Sequence, residues 1–251
     1  MSKPSAAILL LSLLLAGCVT TGDVPRKVDP DAARDSYIQL GIGYLQKGET
    51  ERAKAPLSEA LKLDPRSASA HMVLALVFQQ EGEYAAAEEH FRSALSAEPS
   101  NARILNNYGA FLLDRERYAE ALNYFQKAAA DTLYSERSRV FENMGITYLR
   151  MGDSASAREN LERSLRLNSR QPRALLELAQ LEFAAGEFVP AWDHYRRFDQ
   201  LSSQNAASLW LGVQLARRFE DHSKAVSYGL QLKRLYPNSP EAKALVESEQ
   251  S

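Results

Sequence analysis

After Ala33 the apolar residues of this chain return every three or four positions, in stretches punctuated by glycine or proline. That is the period of a helix with one buried face. The stretch SYIQLGIGYLQKGETERAKAPLSEALKLDP, residues 36–65, shows the unit: Leu40, Ile42, Tyr44 and Leu45 precede Gly48, then Ala53, Leu57 and Ala60 precede Asp64-Pro65. Gly48, Gly82, Gly152 and Gly186 end first helices, and Asp64-Pro65, Glu98-Pro99 and Tyr236-Pro237 end second ones. The alanine of the second helix recurs as Ala53, Ala87, Ala121, Ala157, Ala191 and Ala225, at intervals of 34, 34, 36, 34 and 34 residues. The prediction is an all-α chain of six helix pairs, none able to bury its apolar face alone, stacked so that neighbours supply the core.

The residues around these alanines resemble the tetratricopeptide repeat. Repeat two carries Leu74, Ala75, Phe78, Gly82, Ala87, Phe91, Ala94 and Pro99; repeat three carries Tyr108, Gly109, Leu112, Ala121, Phe125 and Ala128; repeat four carries Met144 to Tyr148, Gly152, Ala157, Leu161 and Ser164. The resemblance implies a right-handed superhelical solenoid of about six repeats, over residues 34–67, 68–101, 102–137, 138–171, 172–205 and 206–239, closed by a short C-terminal capping helix over 240–251. The last two repeats are looser. Glu182 stands where repeat one has Tyr44, Phe198 replaces a small residue, and Val213 and Gly229 break the pattern. The two extra residues near AAADTLYSERSRV meet no proline, which predicts longer helices on either side. Pro56, inside a second helix, predicts a kink and a cost of about 3 kcal/mol.

Ahead of the repeats the pattern changes. Lys3 precedes an apolar run from Ala6 to Ala16, too short to span a bilayer, so residues 1–17 read as a signal peptide and are set aside from the fold. Leu15, Ala16, Gly17 and Cys18 resemble a bacterial lipobox, which implies cleavage before Cys18 and acylation of that residue. One acyl chain holds a protein only marginally, and several make a lasting anchor. Val19, in place of the aspartate that marks inner-membrane retention in many enteric lipoproteins, favours the outer membrane by the same resemblance. Residues 18–33, with Pro25 and Pro30 and no apolar period, read as a tether spanning roughly 20 Å.

Composition narrows function mainly by exclusion. A formal charge of -2 gives no basic excess for nucleic acid, and the single cysteine excludes an intramolecular disulfide framework. His71, His90, His194 and His222 are dispersed, with no HExxH and no pair at i, i+4. There is no GxSxG and no phosphate-binding loop. Glu88, Glu89, Asp153 and Glu159 alternate with basic residues as a solvated face does. Tyr44, Tyr84, Tyr118, Tyr148 and Tyr195 fall on packing positions. No enzyme, cofactor, metal site or small-molecule substrate is predicted.

Tetratricopeptide arrays bind extended or helical peptides along the face lined by first helices. The repeat phase puts Ile38, Ile42 and Leu45, then Met72, Leu76 and Gln79, then Asn106, Ala110 and Leu113, then Glu142, Ile146 and Leu149 on that face. Chaperone-binding members clamp a C-terminal carboxylate there with lysine and asparagine. Ile38, Ile42 and Val73 occupy clamp positions in this chain, so an amphipathic partner segment in an apolar groove is expected instead.

A lipobox, a short tether and about six such repeats resemble one family across the whole chain: the pilotin lipoproteins of type IV pilus assembly, the PilF and PilW type. The resemblance implies an outer-membrane lipoprotein facing the periplasm that binds pilus secretin subunits and promotes their localisation and multimerisation. The alternative is a repeat lipoprotein that serves the β-barrel assembly machine or recruits peptidoglycan hydrolases.

Overall fold

The computed structural model describes residues 29–250, and among them thirteen helices follow one another with no strand. The first helices of the six repeats are α1 (Pro30–Gln46), α3 (Ala68–Glu81), α5 (Ala102–Asp114), α7 (Arg137–Arg150), α9 (Pro172–Ala184) and α11 (Ala206–Arg218). Their partners are α2 (Thr50–Leu63), α4 (Tyr84–Ala97), α6 (Tyr118–Ala130), α8 (Ser154–Leu167), α10 (Phe188–Asp199) and α12 (His222–Leu235). Helix α13 (Pro240–Gln250) packs on α11 and α12, as the predicted cap. Each first helix packs on its own partner, and each second helix on the first helix that follows.

The turns inside the pairs are built alike. In each turn one residue donates its N–H to the carbonyl three residues back and the next donates to the carbonyl five back, as Gly48 to Leu45 O and Glu49 to Tyr44 O do. This closure needs a left-handed backbone, and glycine supplies it at Gly48, Gly82, Gly152 and Gly186. In repeats three and six the same place holds Glu116 (φ 60) and Glu220 (φ 56). At the other ends, Asp29, Ser67, Asn101 and Asn205 cap α1, α3, α5 and α11 with their side-chain oxygens.

The helices of a pair cross where a small residue faces a large one. A Cβ on Gly109 would lie 2.6 Å from Phe125 Cε1, and Gly41 and Gly145 meet Leu57 and Leu161 equally closely. Phe125, Leu57 and Leu161 are accordingly fully buried. Repeat six explains the two residues that broke the pattern. Val213 on α11 faces Gly229 on α12, with Val213 Cγ2 4.0 Å from where a glycine Cβ would be, so the large and small partners have exchanged helices.

Two expectations are corrected. The extra residues of repeat three lengthen neither helix: α6 spans 13 residues and α7 spans 14, and a turn over 131–136 takes up the insertion. The Asp131 carboxylate accepts from Leu133 N–H, and Arg137 Nε donates to Ala129 O, fixing that turn without proline. Tyr84 is 43% exposed, stacked under Arg115 rather than packed inside. Helix α2 continues through the buried Pro56.

The core is not uniform along the stack. One apolar cluster runs from Ile38 to Met144 and another from Leu175 to Leu245, joined by the small group Leu161, Ala174 and Leu178. Around the join the buried residues turn polar: Ser138, Thr147, Asn160, Ser164, Gln171 and Glu182. Most are satisfied, Gln171 Nε2 donating to Ser138 Oγ at 2.9 Å and Thr147 Oγ1 to Asn143 O at 2.7 Å.

Candidate partner-binding groove

The first helices lie side by side, and polar side chains tie them together. Gln79 Nε2 donates to Asp114 Oδ2 at 3.2 Å, Asn107 Nδ2 to Met72 Sδ at 3.4 Å, and Asn143 Nδ2 to Asn106 Oδ1 at 3.1 Å. These bonds run between consecutive first helices and hold the shared face in register. Ile42, Leu45, Leu76, Gln79, Ala110, Leu113, Glu142 and Leu149 are half-buried on it.

Four residues predicted for the groove are not available to a ligand. Ile38, Met72, Asn106 and Ile146 are buried, with exposures of 5, 6, 8 and 2%. Met72 and Asn106 are the acceptors of the bonds just described, and Ile38 joins the apolar cluster. For Ile38, Met72 and Asn106 the reason is geometric: they share one position of the repeat, and there neighbouring first helices approach closely enough for side chains to pack against each other.

The groove changes character along its length. Its first three repeats present Ile42, Leu45, Leu76 and Leu113, all packed at the margin of the core. Repeats four and five present Glu142 and Glu177. Burial pushes both carboxyls above the usual carboxylate range, against the pull of Arg173 on each. The backbone N–H of Ala174, in the first turn of α9, also pulls the Glu142 carboxyl down. Helix α9 has no side-chain cap of its own, because Gln171 is turned to Ser138. One oxygen of Glu142, Oε2, is buried and unpartnered. Sequence reasoning missed Glu177, Asn107 and Asn143. They share one position of the repeat, at steps of 36 and 34 residues, and the same register moved by one residue finds them.

Elsewhere the structure redistributes residues that the sequence had left apart. Glu88 is not a solvated carboxylate: it accepts from Arg117 Nη1 at 2.9 Å and from Tyr108 Oη at 2.9 Å. Burial pushes it up, but those bonds and the charges of Arg117 and Arg92 outweigh that and leave it below the usual range. His71 and His90 touch through Nδ1 atoms at 2.9 Å, and His194 Nδ1 lies 2.8 Å from the buried Glu182. Among the described residues no cluster of three or more metal-ligating side chains occurs, and no helix is long and apolar enough to cross a membrane. Cys18 lies outside the described residues. The groove offers apolar area and a few desolvated polar groups, which is the equipment of peptide recognition.

Models of the tetratricopeptide repeat match residues 38–97, 100–170 and 143–206. The type IV pilus assembly protein PilF of Pseudomonas aeruginosa is 54% identical over 244 residues, covering 96% of this chain and 97% of its own. This chain belongs to the PilF family of tetratricopeptide-repeat proteins. The solved structure of Pseudomonas aeruginosa PilF superimposes with a TM-score of 0.86, covering 87% of this chain and 99% of that one. The structure of PilW, described as a widely conserved type IV pilus biogenesis factor, is 32% identical with a TM-score of 0.74, over 85% of this chain and 98% of its own. The solenoid of Cut9, in the structure of the Cut9–Hcn1 heterotetramer, shares the fold at 17% identity and a TM-score of 0.72. In this member of the PilF family, the exchange of Val213 and Gly229 and the glutamates at left-handed turns are departures of single repeats from the pattern of the others in the same chain.

Proposed function

We propose that this chain is a pilotin of type IV pilus biogenesis. It is an outer-membrane lipoprotein, anchored through acyl chains on Cys18 and facing the periplasm, and it binds secretin subunits and promotes their localisation and multimerisation. The observation that carries the reading is its 54% identity, over nearly the whole of both chains, to a protein named for type IV pilus assembly. The groove supports a protein partner: an amphipathic segment lays its apolar residues on Ile42, Leu45, Leu76 and Leu113. The chain works as a scaffold. Anchoring confines bound subunits near the membrane, raising their effective concentration so that ring assembly becomes more probable with no covalent step.

The test separates anchor from groove. Cys18→Ser is expected to leave secretin binding in detergent extracts intact while the multimer disappears from the outer-membrane fraction. Leu76→Asp is expected to abolish co-purification of the secretin while the variant still fractionates with the outer membrane. A multimer that forms normally in the Cys18→Ser strain, or a secretin still bound by Leu76→Asp, overturns the respective half of the proposal.

A further inference from the structure

Consecutive first helices are laced by a ladder of side chains, and one of its rungs is out of character. In each repeat the residue two places before the crossing position, such as Gly109 or Gly145, meets the residue three places before it in the preceding repeat. Asn107 Nδ2 donates in this way to Met72 Sδ, and Asn143 Nδ2 to Asn106 Oδ1. The same register pairs Val73 with Ile38 at the start of the stack and Leu211 with Leu176 near its end, both rungs apolar. Between them, on α7 and α9, it pairs Glu177 with Glu142. This rung sits where one apolar cluster ends at Met144 and the next begins at Leu175. Where the two rungs before it set a donor against an acceptor, it sets two carboxyl groups against each other.

Two carboxylates that meet repel when both are ionised, and taking them out of water adds to the cost. One proton resolves the conflict, because a neutral carboxyl donates its O–H as the asparagine amide donates its N–H. The geometry points to a proton-operated joint between repeats four and five, closed when Glu142 and Glu177 share a proton and loosened when both are ionised. Glu142 Oε2 is buried with no partner, as it would be in a ladder whose donor is missing. Burial pushes the Glu142 carboxyl up and the charge of Glu177 adds to the rise, while Arg173, the Ala174 N–H and Arg139 pull it down; burial pushes Glu177 up, while Arg173 and Arg150 pull it down. Burial wins at both, and the rungs on either side bring only neutral side chains. A carboxyl held above its ordinary value contributes stability that is full below the unfolded value of about 4.3 and is lost as the pH rises through the folded one. Acid therefore draws repeats four and five together. Both carboxyls lie on the face lined by first helices, so the joint sets how the apolar part of the groove meets the rest of the array. It does not depend on the secretin reading.

The test uses the full chain in detergent, with glutamate labelled at the side-chain carboxyl carbon and the two signals assigned through Glu142→Gln and Glu177→Gln. Both signals are expected to titrate above the ordinary carboxylate range, and each variant to move the midpoint of the carboxyl that remains downward. Amide exchange, corrected for its intrinsic pH dependence, is expected to slow in the facing turns of α7 and α9 by at least about threefold between about pH 7.5 and about pH 5. Glu177→Gln, which supplies the missing donor, is expected to hold the slow value at both. Independent titration of the two carboxyls, or a pH response that survives Glu177→Gln, would overturn the proposal. So would calcium chloride that slows exchange at neutral pH as acid does, by naming a metal ion as the occupant of the rung. None of these readouts involves the secretin, so failure here leaves the effect of Leu76→Asp untouched and the two readings fall separately.

Discussion

In the third repeat the helix crossing is made by Gly109 on the first helix and Phe125 on the second; in the sixth it is made by Val213 on the first and Gly229 on the second. The pairs occupy the same two positions of the repeat with the large residue moved across. The close approach moves with it. Gly212, one place before Val213, now lies against Tyr195 and Tyr228, and a Cβ there would come within 2.1 Å of the Tyr195 hydroxyl. Tyr195 is fully buried, and burial pushes its phenol well above the ordinary range, with the charge of Asp199 adding to the effect. What the repeat preserves is a small residue against a larger one at each crossing, whichever helix carries the large one.

The largest effect follows from that asymmetry, and it has opposite signs in the two places. Gly109→Ala sets a methyl group 2.6 Å from the Phe125 ring, inside contact distance, and should destabilise the chain by about 1–3 kcal/mol. Gly229→Ala meets Leu245 Cδ2 at 3.4 Å, an ordinary contact, and gains helix propensity, so it should stabilise by about 0.5–1 kcal/mol. Urea unfolding of both variants decides the matter. Two destabilised proteins would mean that the repeats do not differ in the way described.

A smaller difference separates the turns. Glycine takes the left-handed position in repeats one, two, four and five, but Glu116 and Glu220 pay its steric cost in repeats three and six. Glu116→Gly and Glu220→Gly should each stabilise by roughly 0.5–1 kcal/mol, the strain relieved exceeding the added freedom of the unfolded chain. Gly48→Glu should destabilise by a similar amount. Thermal unfolding at matched ionic strength reads all three, and a neutral Glu116→Gly would show that the turn carries no strain.

How far the sequence reached depends on what kind of fact was sought. The phase of the repeat was legible because buried alanines at a fixed spacing are a local pattern, and it located all six pairs and the cap. The insertion was misplaced because the absence of proline says nothing about the side-chain contacts, Asp131 to Leu133 and Arg137 to Ala129, that end α6 and begin α7. The groove was only half legible. Ile42 and Leu76 stay half-buried at the margin of the core, yet Ile38 and Met72 are closed off by the spacing between neighbouring first helices, which no single repeat encodes. Glu142 looked like a groove residue, and its desolvation beside α9, whose start leaves Gln171 engaged with Ser138, depends on how neighbouring repeats pack.

The comparison extends to pH. His71 Nε2 lies 3.1 Å from Pro65 O and must donate to it, so in the neutral ring Nδ1 accepts, and His90 supplies the proton of the 2.9 Å contact. Protonating His71 at Nδ1 would set two N–H groups face to face. Burial, and then the charge of His71, hold His90 below the ordinary histidine range, with Glu89 pulling the other way. A base with a depressed value in the fold contributes stability that is present above its unfolded pKa of about 6.5 and lost as the pH falls through the folded value. In repeat five there is no second imidazole: His194 Nδ1 lies 2.8 Å from the buried Glu182. Acidification from about pH 7.5 to about 5.5 should therefore loosen α3 and α4 before α9 and α10. Amide exchange, corrected for its intrinsic pH dependence, measures this helix by helix, and His90→Phe, which keeps the stack on Phe78, should remove the difference. Equal loss of protection in both halves would mean that the histidine pair does not govern the acid response.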